Sequence, residues 1–311
     1  MPAGWSGRES NEQPYQRVRL RRKVSASVEP NPDISDEGGI SMKIGINRWT
    51  MPGDWSFEQC LKAAKEAGFD SIEFNMAEDG VLGFDAKESE VRQIAETAQR
   101  IGVELSSLST GLGWRYPLTS PDPAVREKGM AAIRKQLQIA SWLGVDTILV
   151  VPGVVNEETA YDEAYDRAHS ALRELLPDAE RLGVRIGVEN VWNKFLLSPL
   201  EMRQFVDELG SPYAGVYFDA GNVLVMGYPE QWIRILGKRI YRVHVKDFKT
   251  HIGNISGFCN PLQGNVPWAK VNEALRQVGY DGYITAEVEG YPSYPELGLK
   301  HIAESLKAVF Q

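Results

Sequence analysis

From Met42 to the C-terminus the chain alternates between short, nearly unbroken apolar runs and longer stretches whose apolar residues recur at helical spacing. The apolar runs predict eight strands: Lys43–Asn47, Ser71–Phe74, Val103–Leu108, Thr147–Val151, Arg185–Glu189, Gly215–Asp219, Tyr241–Lys246 and Tyr283–Val288. Runs without polar alternation suit parallel strands covered on both faces. The segments between them carry helix boundary signals. Ser56–Ala67 opens on a capping serine and stops before Gly68. Asp122–Leu143 stops before Gly144, and Ser198–Leu209 opens on a serine cap followed by Pro199 at the first helical position. Gly68, Gly102, Gly144, Gly183 and Gly210 recur where a helix must end. Helix, glycine stop and strand therefore repeat as one device, and eight such units predict an α/β fold, a single-domain (β/α)8 TIM barrel over residues 42–311. An open doubly wound sheet is the alternative. The sequence has neither common Gly-rich phosphate loop, which argues against the nucleotide-binding form of that sheet.

Residues 1–41 break the pattern. They are polar, rich in Pro, Ser and charge, and without helix or strand period. They read as a disordered N-terminal extension, or as sequence upstream of a start at Met42. Arg19, Arg21, Arg22 and Lys23 read as a solvated charge run rather than a docking patch. No apolar stretch follows them, so they do not read as a secretory signal.

Composition narrows the picture further. The 311 residues are 43% hydrophobic, enough for the core of one barrel. A net charge of −8 disfavours binding to a phosphate backbone, so no nucleic-acid partner is expected. No apolar run is long enough for a bilayer, so no membrane partner is expected either. Cys60 and Cys259 are too few for a disulfide framework and read as reduced thiols, which suits a cytoplasmic location.

Active groups of such a barrel sit at the C-terminal ends of its strands. Four consecutive predicted strands carry ionisable residues there: Glu189 on the fifth, Asp219 on the sixth, His244 on the seventh and Glu287 on the eighth. A carboxylate among Val, Ile and Phe is costly to bury unless it is paired. Three of them at one barrel mouth also repel one another. A divalent cation answers both problems. Three carboxylates and one imidazole suit Mn2+, Mg2+ or Co2+, whereas a zinc site more often brings Cys or further His. Separate hydrogen bonding of each residue would need four coincidences. Glu289 shares a face with Glu287 and competes for the eighth-strand position; Glu287, which directly follows the apolar run, is preferred.

Together, Val-Glu-Asn, Phe-Asp-Ala-Gly-Asn, Val-His-Val-Lys-Asp-Phe and Gly-Tyr-Asp-Gly-Tyr-Ile-Thr-Ala-Glu resemble the motifs of the xylose-isomerase-like barrel superfamily, from about Met42 to the C-terminus. Within it the chain resembles the sugar phosphate isomerase/epimerase branch, which includes ketose 3-epimerases and L-ribulose-5-phosphate (L-xylulose-5-phosphate) 3-epimerases. The resemblance implies an isomerase or epimerase, a 3-epimerase first, acting on a sugar or sugar phosphate. It implies one divalent metal, Mn2+ first and Mg2+ or Co2+ as alternatives, held by Glu189, Asp219, His244 and Glu287. It also implies that Glu189 and Glu287 are the catalytic pair. One removes the proton beside the ketose carbonyl and the other returns it on the opposite face, through a metal-stabilised enediolate. Dimers and tetramers are common in this family, so a homo-oligomer is among the expected forms.

Two positions depart from the free-ketose epimerases. Those enzymes carry a His shortly after the strand-six Asp, where Asn222 stands, and a further Glu after the strand-five Glu, where the loop reads Asn190-Val191-Trp192-Asn193. Both changes fall where substrate hydroxyls are held. Asn222 and the His-Val-Lys-Asp run are closer to the phosphopentulose and inosose-dehydratase branches.

Asn222, Lys246 and Trp114 are the expected substrate-binding residues. Lys246 could instead pair with Asp247 or another neighbouring carboxylate, and Trp114 could pack as an ordinary aromatic. Glu73, ending the second strand, could hold a substrate hydroxyl or pair with a nearby Lys or Arg. His251 reads as a solvated loop residue, and His169 and His301 as exposed on helices. Two rival functions use the same residues: a keto-cyclitol dehydratase, and a non-catalytic sugar-binding barrel subunit. An endonuclease of the superfamily would need more than the four histidines present, and a basic face.

Overall fold

A computed structural model describes residues 41–311. The extension expected over residues 1–41 therefore lies, apart from Ser41, outside the described residues. Eight strands stand where the apolar runs predict them: β1 (Lys43–Asn47), β2 (Ser71–Met76), β3 (Glu104–Thr110), β4 (Thr147–Val150), β5 (Arg185–Glu189), β6 (Ala214–Asp219), β7 (Ile240–Val245) and β8 (Tyr283–Ala286). Each pairs in parallel with its neighbours in sequence, and β8 closes onto β1, so the sheet is a barrel with no free edge. The eight covering helices are α1 (Phe57–Ala67), α2 (Glu88–Ile101), α3 (Pro123–Leu143), α4 (Tyr161–Leu182), α5 (Pro199–Glu208), α6 (Pro229–Leu236), α7 (Trp268–Gln277) and α8 (Pro295–Phe310).

The helix boundaries follow the local chemistry. Ser56 and Gln59 cap α1 reciprocally: the Gln59 N–H donates to Ser56 Oγ at 3.3 Å and the Ser56 N–H to Gln59 Oε1 at 2.8 Å. Asp122 caps α3 through the Ala124 N–H, and Ser198 caps α5 through the Glu201 N–H. The five repeating stop glycines all take positive φ, between 66° and 91°, which ends each helix and turns the chain into the next strand.

The main apolar core lies between the strands and the helix ring. The barrel interior is more polar. At its lower end Arg242 of β7 donates to the Ser106 carbonyl at 2.9 Å and pairs with Asp146, tying β3 and β7 to the start of β4. Higher up, Leu149, Val151 and Tyr217 form a small apolar layer beneath the mouth.

Three strands end earlier than the apolar runs suggest, β4 by one residue at Val150. β7 stops at Val245 and β8 at Ala286, so Lys246 and Glu287 stand just past the ladder. The Val288 carbonyl accepts from Thr50 Oγ1 at 2.9 Å instead of continuing the pairing with β1. Cys60 is buried, Cys259 half-buried, and both are free thiols. His169 corrects its expectation of exposure: it is half-buried, stacked on Tyr165 at 6.1 Å and set edge-on to Phe205 at 5.5 Å. His251 and His301 are exposed. Among the described residues no helix is long and apolar enough to cross a membrane.

Candidate active site at the barrel mouth

The parallel register brings the chemistry level. In the β5–β6 ladder Glu189 lies opposite Tyr217, and in the β6–β7 ladder Asp219 lies opposite His244. Asn190 clips the first two strand ends together. Its amide donates to the Asp219 carbonyl at 2.8 Å, and its side-chain oxygen accepts from the Asp219 N–H at 2.9 Å. Glu189, Asp219, His244 and Glu287 thereby converge, each offering a ligand atom within 4.8 Å of the others.

Each member has a distinct environment. Asp219 is fully buried. Its Oδ1 accepts from the Asn222 N–H at 2.8 Å and so caps the helical turn Ala220–Val223. Its Oδ2 is paired with the Lys246 ammonium at 2.7 Å. Lys246 also reaches Glu287 Oε2 at 2.5 Å. Burial opposes a charge on Lys246, but Asp219, Glu287 and Glu189 outweigh it and hold the ammonium firmly protonated.

His244 is buried and held from below. Its Nε2 lies 2.7 Å from Glu73 Oε2, while Nδ1 faces Glu189 Oε1 at 3.4 Å and Glu287 Oε2 at 3.7 Å. Glu73 Oε1 accepts in turn from Tyr217 OH at 2.6 Å and Ser107 Oγ at 2.7 Å. Burial alone would raise the Glu73 carboxyl, but the His244 charge and these hydrogen bonds hold it below the usual carboxylate range. Burial likewise opposes an imidazolium at His244; the charges of Glu73 and Glu287 outweigh it and raise the imidazole well above its ordinary value.

The two outer carboxylates diverge. Burial, reinforced by the Glu287 charge, pushes Glu189 up to about 7 against the hydrogen bond from His244. Glu287 meets the same burial, but Lys246 and His244 hold it low. One carboxyl is thus poised to carry a proton near neutrality while its partner stays ionised.

Above the cluster opens a cavity of about 1080 Å3. Glu189, Glu287 and Lys246 are on its surface, and Trp49, Trp114, Trp192 and Phe258 line its sides. An antiparallel pairing of Asp247–Phe248 with Phe258–Cys259 carries Phe258 over the mouth, 4.8 Å from the Trp192 ring.

The sequence-predicted residues divide accordingly. The four proposed ligands come together. Asn222 faces the cavity, but its amide donates to the Asn190 carbonyl at 3.0 Å. Lys246 makes the ion pairs that the alternative reading foresaw, although with Asp219 and Glu287 rather than Asp247. Asp247 is instead a scaffold residue that accepts from the Phe248 and Val266 N–H groups and from Trp268 Nε1. Trp114 is half exposed on the cavity wall, and Glu289 is exposed at its edge, outside the cluster. Glu73 pairs with neither a Lys nor an Arg; its partners include His244 and the hydroxyls of Tyr217 and Ser107. The signal was present: Ser-Ile-Glu-Phe buries a carboxylate among apolar neighbours in the same way as the four ligand strands. Asn190, Tyr217 and Trp49 were not singled out, because each acts through loops or across strands that local pattern does not register.

Comparison with known proteins places this geometry. The family model of the xylose isomerase-like TIM barrel matches residues 61–309. The L-ribulose-5-phosphate 3-epimerase UlaE of Salmonella heidelberg (strain SL476) is 28% identical over 242 residues, covering 77% of this chain and 84% of that protein. The enzyme of the same name from Escherichia coli (strain SMS-3-5 / SECEC) is 27% identical over the same coverage. Among solved structures, a D-tagatose 3-epimerase-like protein is 25% identical with a TM-score of 0.72, covering 86% of this chain and 98% of its own. An L-ribulose 3-epimerase superposes with a TM-score of 0.73 at 20% identity, over 86% and 94% of the two chains.

Proposed function

The chain belongs to the xylose isomerase-like TIM-barrel family, and from that premise we propose that it is a divalent-metal-dependent epimerase of a ketose or ketose phosphate, a 3-epimerase first. The curated relatives named as 3-epimerases support this reading. The observation that carries it is the convergence of Glu189, Asp219, His244 and Glu287, whose ligand atoms all lie within 4.8 Å of one another. Three carboxylates packed this closely call for more positive charge than one ammonium supplies. The Lys246 ammonium, close to Asp219 and Glu287, stands where the charge is needed. The donor set of carboxylates and one imidazole fits a hard or borderline divalent ion, Mn2+ first.

Glu189, Asp219, His244 and Glu287 would hold that ion, with His244 offering Nδ1 because Glu73 occupies Nε2. When bound, the ion supplies Lewis-acid stabilisation of the negative charge that develops on a carbonyl oxygen as the adjacent carbon loses its proton. Of Glu189 and Glu287, the ionised one takes that proton and the protonated one delivers its own to the opposite face of the same carbon, inverting it. Glu73 keeps the His244 ring in one orientation and one tautomer. Trp192 and Phe258 cover the reacting end and keep water from it.

The test is epimer formation from a panel of ketopentoses, ketohexoses and their phosphates, followed by proton NMR with Mn2+ present. A metal-dependent epimer of unchanged mass is expected. A product lighter by one water, or equal turnover after exhaustive chelation, contradicts the proposal.

A further inference from the structure

We propose that the substrate is an uncharged sugar extended beyond the ring that carries the reacting carbonyl, and that Trp49 and Trp114 form a second subsite for that extension. The inference rests on the epimerase reading above and adds the substrate class. Three observations carry it.

The first is charge. Among the described residues Lys246 is the only cationic side chain lining the cavity, and it is committed to Asp219 and Glu287. The nearest arginines along the chain point elsewhere. Arg48 donates to the carbonyls of Met51, Gly53 and Trp55, and Arg115 pairs with Glu78. Glu289 adds a further carboxylate at the rim. A divalent ion and Lys246 set against Glu189, Asp219, Glu287 and Glu289 leave the cavity without surplus positive charge. A phosphate dianion would enter without an arginine among the described lining residues to receive it.

The second is size. A cavity of about 1080 Å3 lies at the top of the range that encloses drug-sized ligands and far exceeds one sugar ring. The ligand cluster occupies only the side built by β5 to β8, so most of the space lies beyond it.

The third is the wall facing that space. Trp49 follows β1 and Trp114 follows β3, and their side chains are 51% and 49% exposed. A Cβ placed on Gly111 would lie 3.9 Å from Trp49 Cζ2, so the turn that bears Trp114 sits beside the Trp49 ring. Neither indole N–H has a hydrogen-bond partner among the described residues, whereas Trp192 Nε1 donates to the Asn222 carbonyl at 2.9 Å. Trp49 is also fixed in place. Its backbone N–H donates to Asn47 Oδ1 at 2.8 Å, and Thr50 beside it holds the Val288 carbonyl. Gly290 lets this contact close, since a Cβ there would collide with the Thr50 carbonyl. Two half-exposed indoles with free donors suit the apolar face and hydroxyl edge of a sugar ring.

The test uses the full chain loaded with Mn2+ and three probes: a free ketohexose, its phosphate ester, and a neutral disaccharide ending in the same ketose. Tryptophan fluorescence titration reads binding, and deuterium entry from heavy water reads proton transfer. The proposal expects the disaccharide to bind most tightly, and Trp49→Ala and Trp114→Ala each to cut its advantage over the free ketose about tenfold. Retained metal affinity in both variants shows that the fold is intact. Preference for the phosphate ester, or equal affinity for disaccharide and free ketose, overturns the subsite. Disaccharide binding lost in the tryptophan variants, but with no deuterium entry into any probe, supports the subsite and instead removes the epimerase reading.

Discussion

At the level of single residues, Glu73 tests the architecture of the site most sharply. It is fully buried, it touches the cavity at no point, and its one ionic partner is His244. If it orients the imidazole for a metal, Glu73→Gln keeps the shape but weakens the support. Metal affinity by calorimetry should then fall about 10- to 100-fold. Unchanged affinity would make the Glu73–Tyr217–Ser107 cluster mere packing. This pairing was within reach of the sequence, because a glutamate between Ile72 and Phe74 needs a partner as much as Glu189 does. The identity of the partner was not, since His244 is 171 positions away and only barrel closure brings it near. The four ligand candidates were easier to find: each follows an apolar run at a strand end, where one rule of the fold places it.

At the level of elements, the repeated helix–glycine–strand device is what local sequence states best. Ser56, Asp122 and Ser198 cap the helices they were expected to cap, because capping depends on neighbours three positions away. Ser56→Ala removes one side of a reciprocal cap and should cost about 1 kcal/mol, read as a lower urea midpoint with unchanged slope. The ends of β7 and β8 were less legible, since Val245-Lys246 and Ala286-Glu287-Val288 are as strand-like in composition as what precedes them. What stops them is the Thr50 hydroxyl and the ion pairs of Lys246, both supplied by distant elements. The lower rim of the barrel gives a pH prediction. Burial would raise the Asp146 carboxyl, but Arg242 and Arg185 hold it below its ordinary value. A depressed folded value means that its contribution is present above the unfolded value, about 4, and is lost as pH falls through the folded one. Asp146→Asn should therefore flatten the decline in stability on acidification, as followed by denaturation at a series of pH values below about 5. An unaltered decline would show that the Asp146 carboxylate carries none of it.

At the scale of the whole molecule, the barrel class followed from eight apolar runs and their spacing, and the mouth did not. Its walls come from loops, and Trp49 and Phe258 reach it only through the turn after β1 and the short pairing after β7. The carboxylate cluster makes the ion-free barrel electrostatically costly, so a bound cation should stabilise the entire fold. Mn2+ at about a hundred times its dissociation constant should add about 2.7 kcal/mol, seen as a raised melting temperature that chelation reverses. A melting temperature indifferent to metal would argue against the site.

The central claim is that this barrel moves a proton at the carbon beside a ketose carbonyl, with Glu189 and Glu287 on opposite sides of it. Deuterium entry at that carbon, followed by NMR in heavy water with Mn2+ and the best ketose of the panel, measures this directly. The account predicts exchange together with an epimeric product, and rates about 10²- to 10⁴-fold lower in both Glu189→Gln and Glu287→Gln. Exchange that persists at the native rate in either variant, or an epimer formed without deuterium, would contradict it.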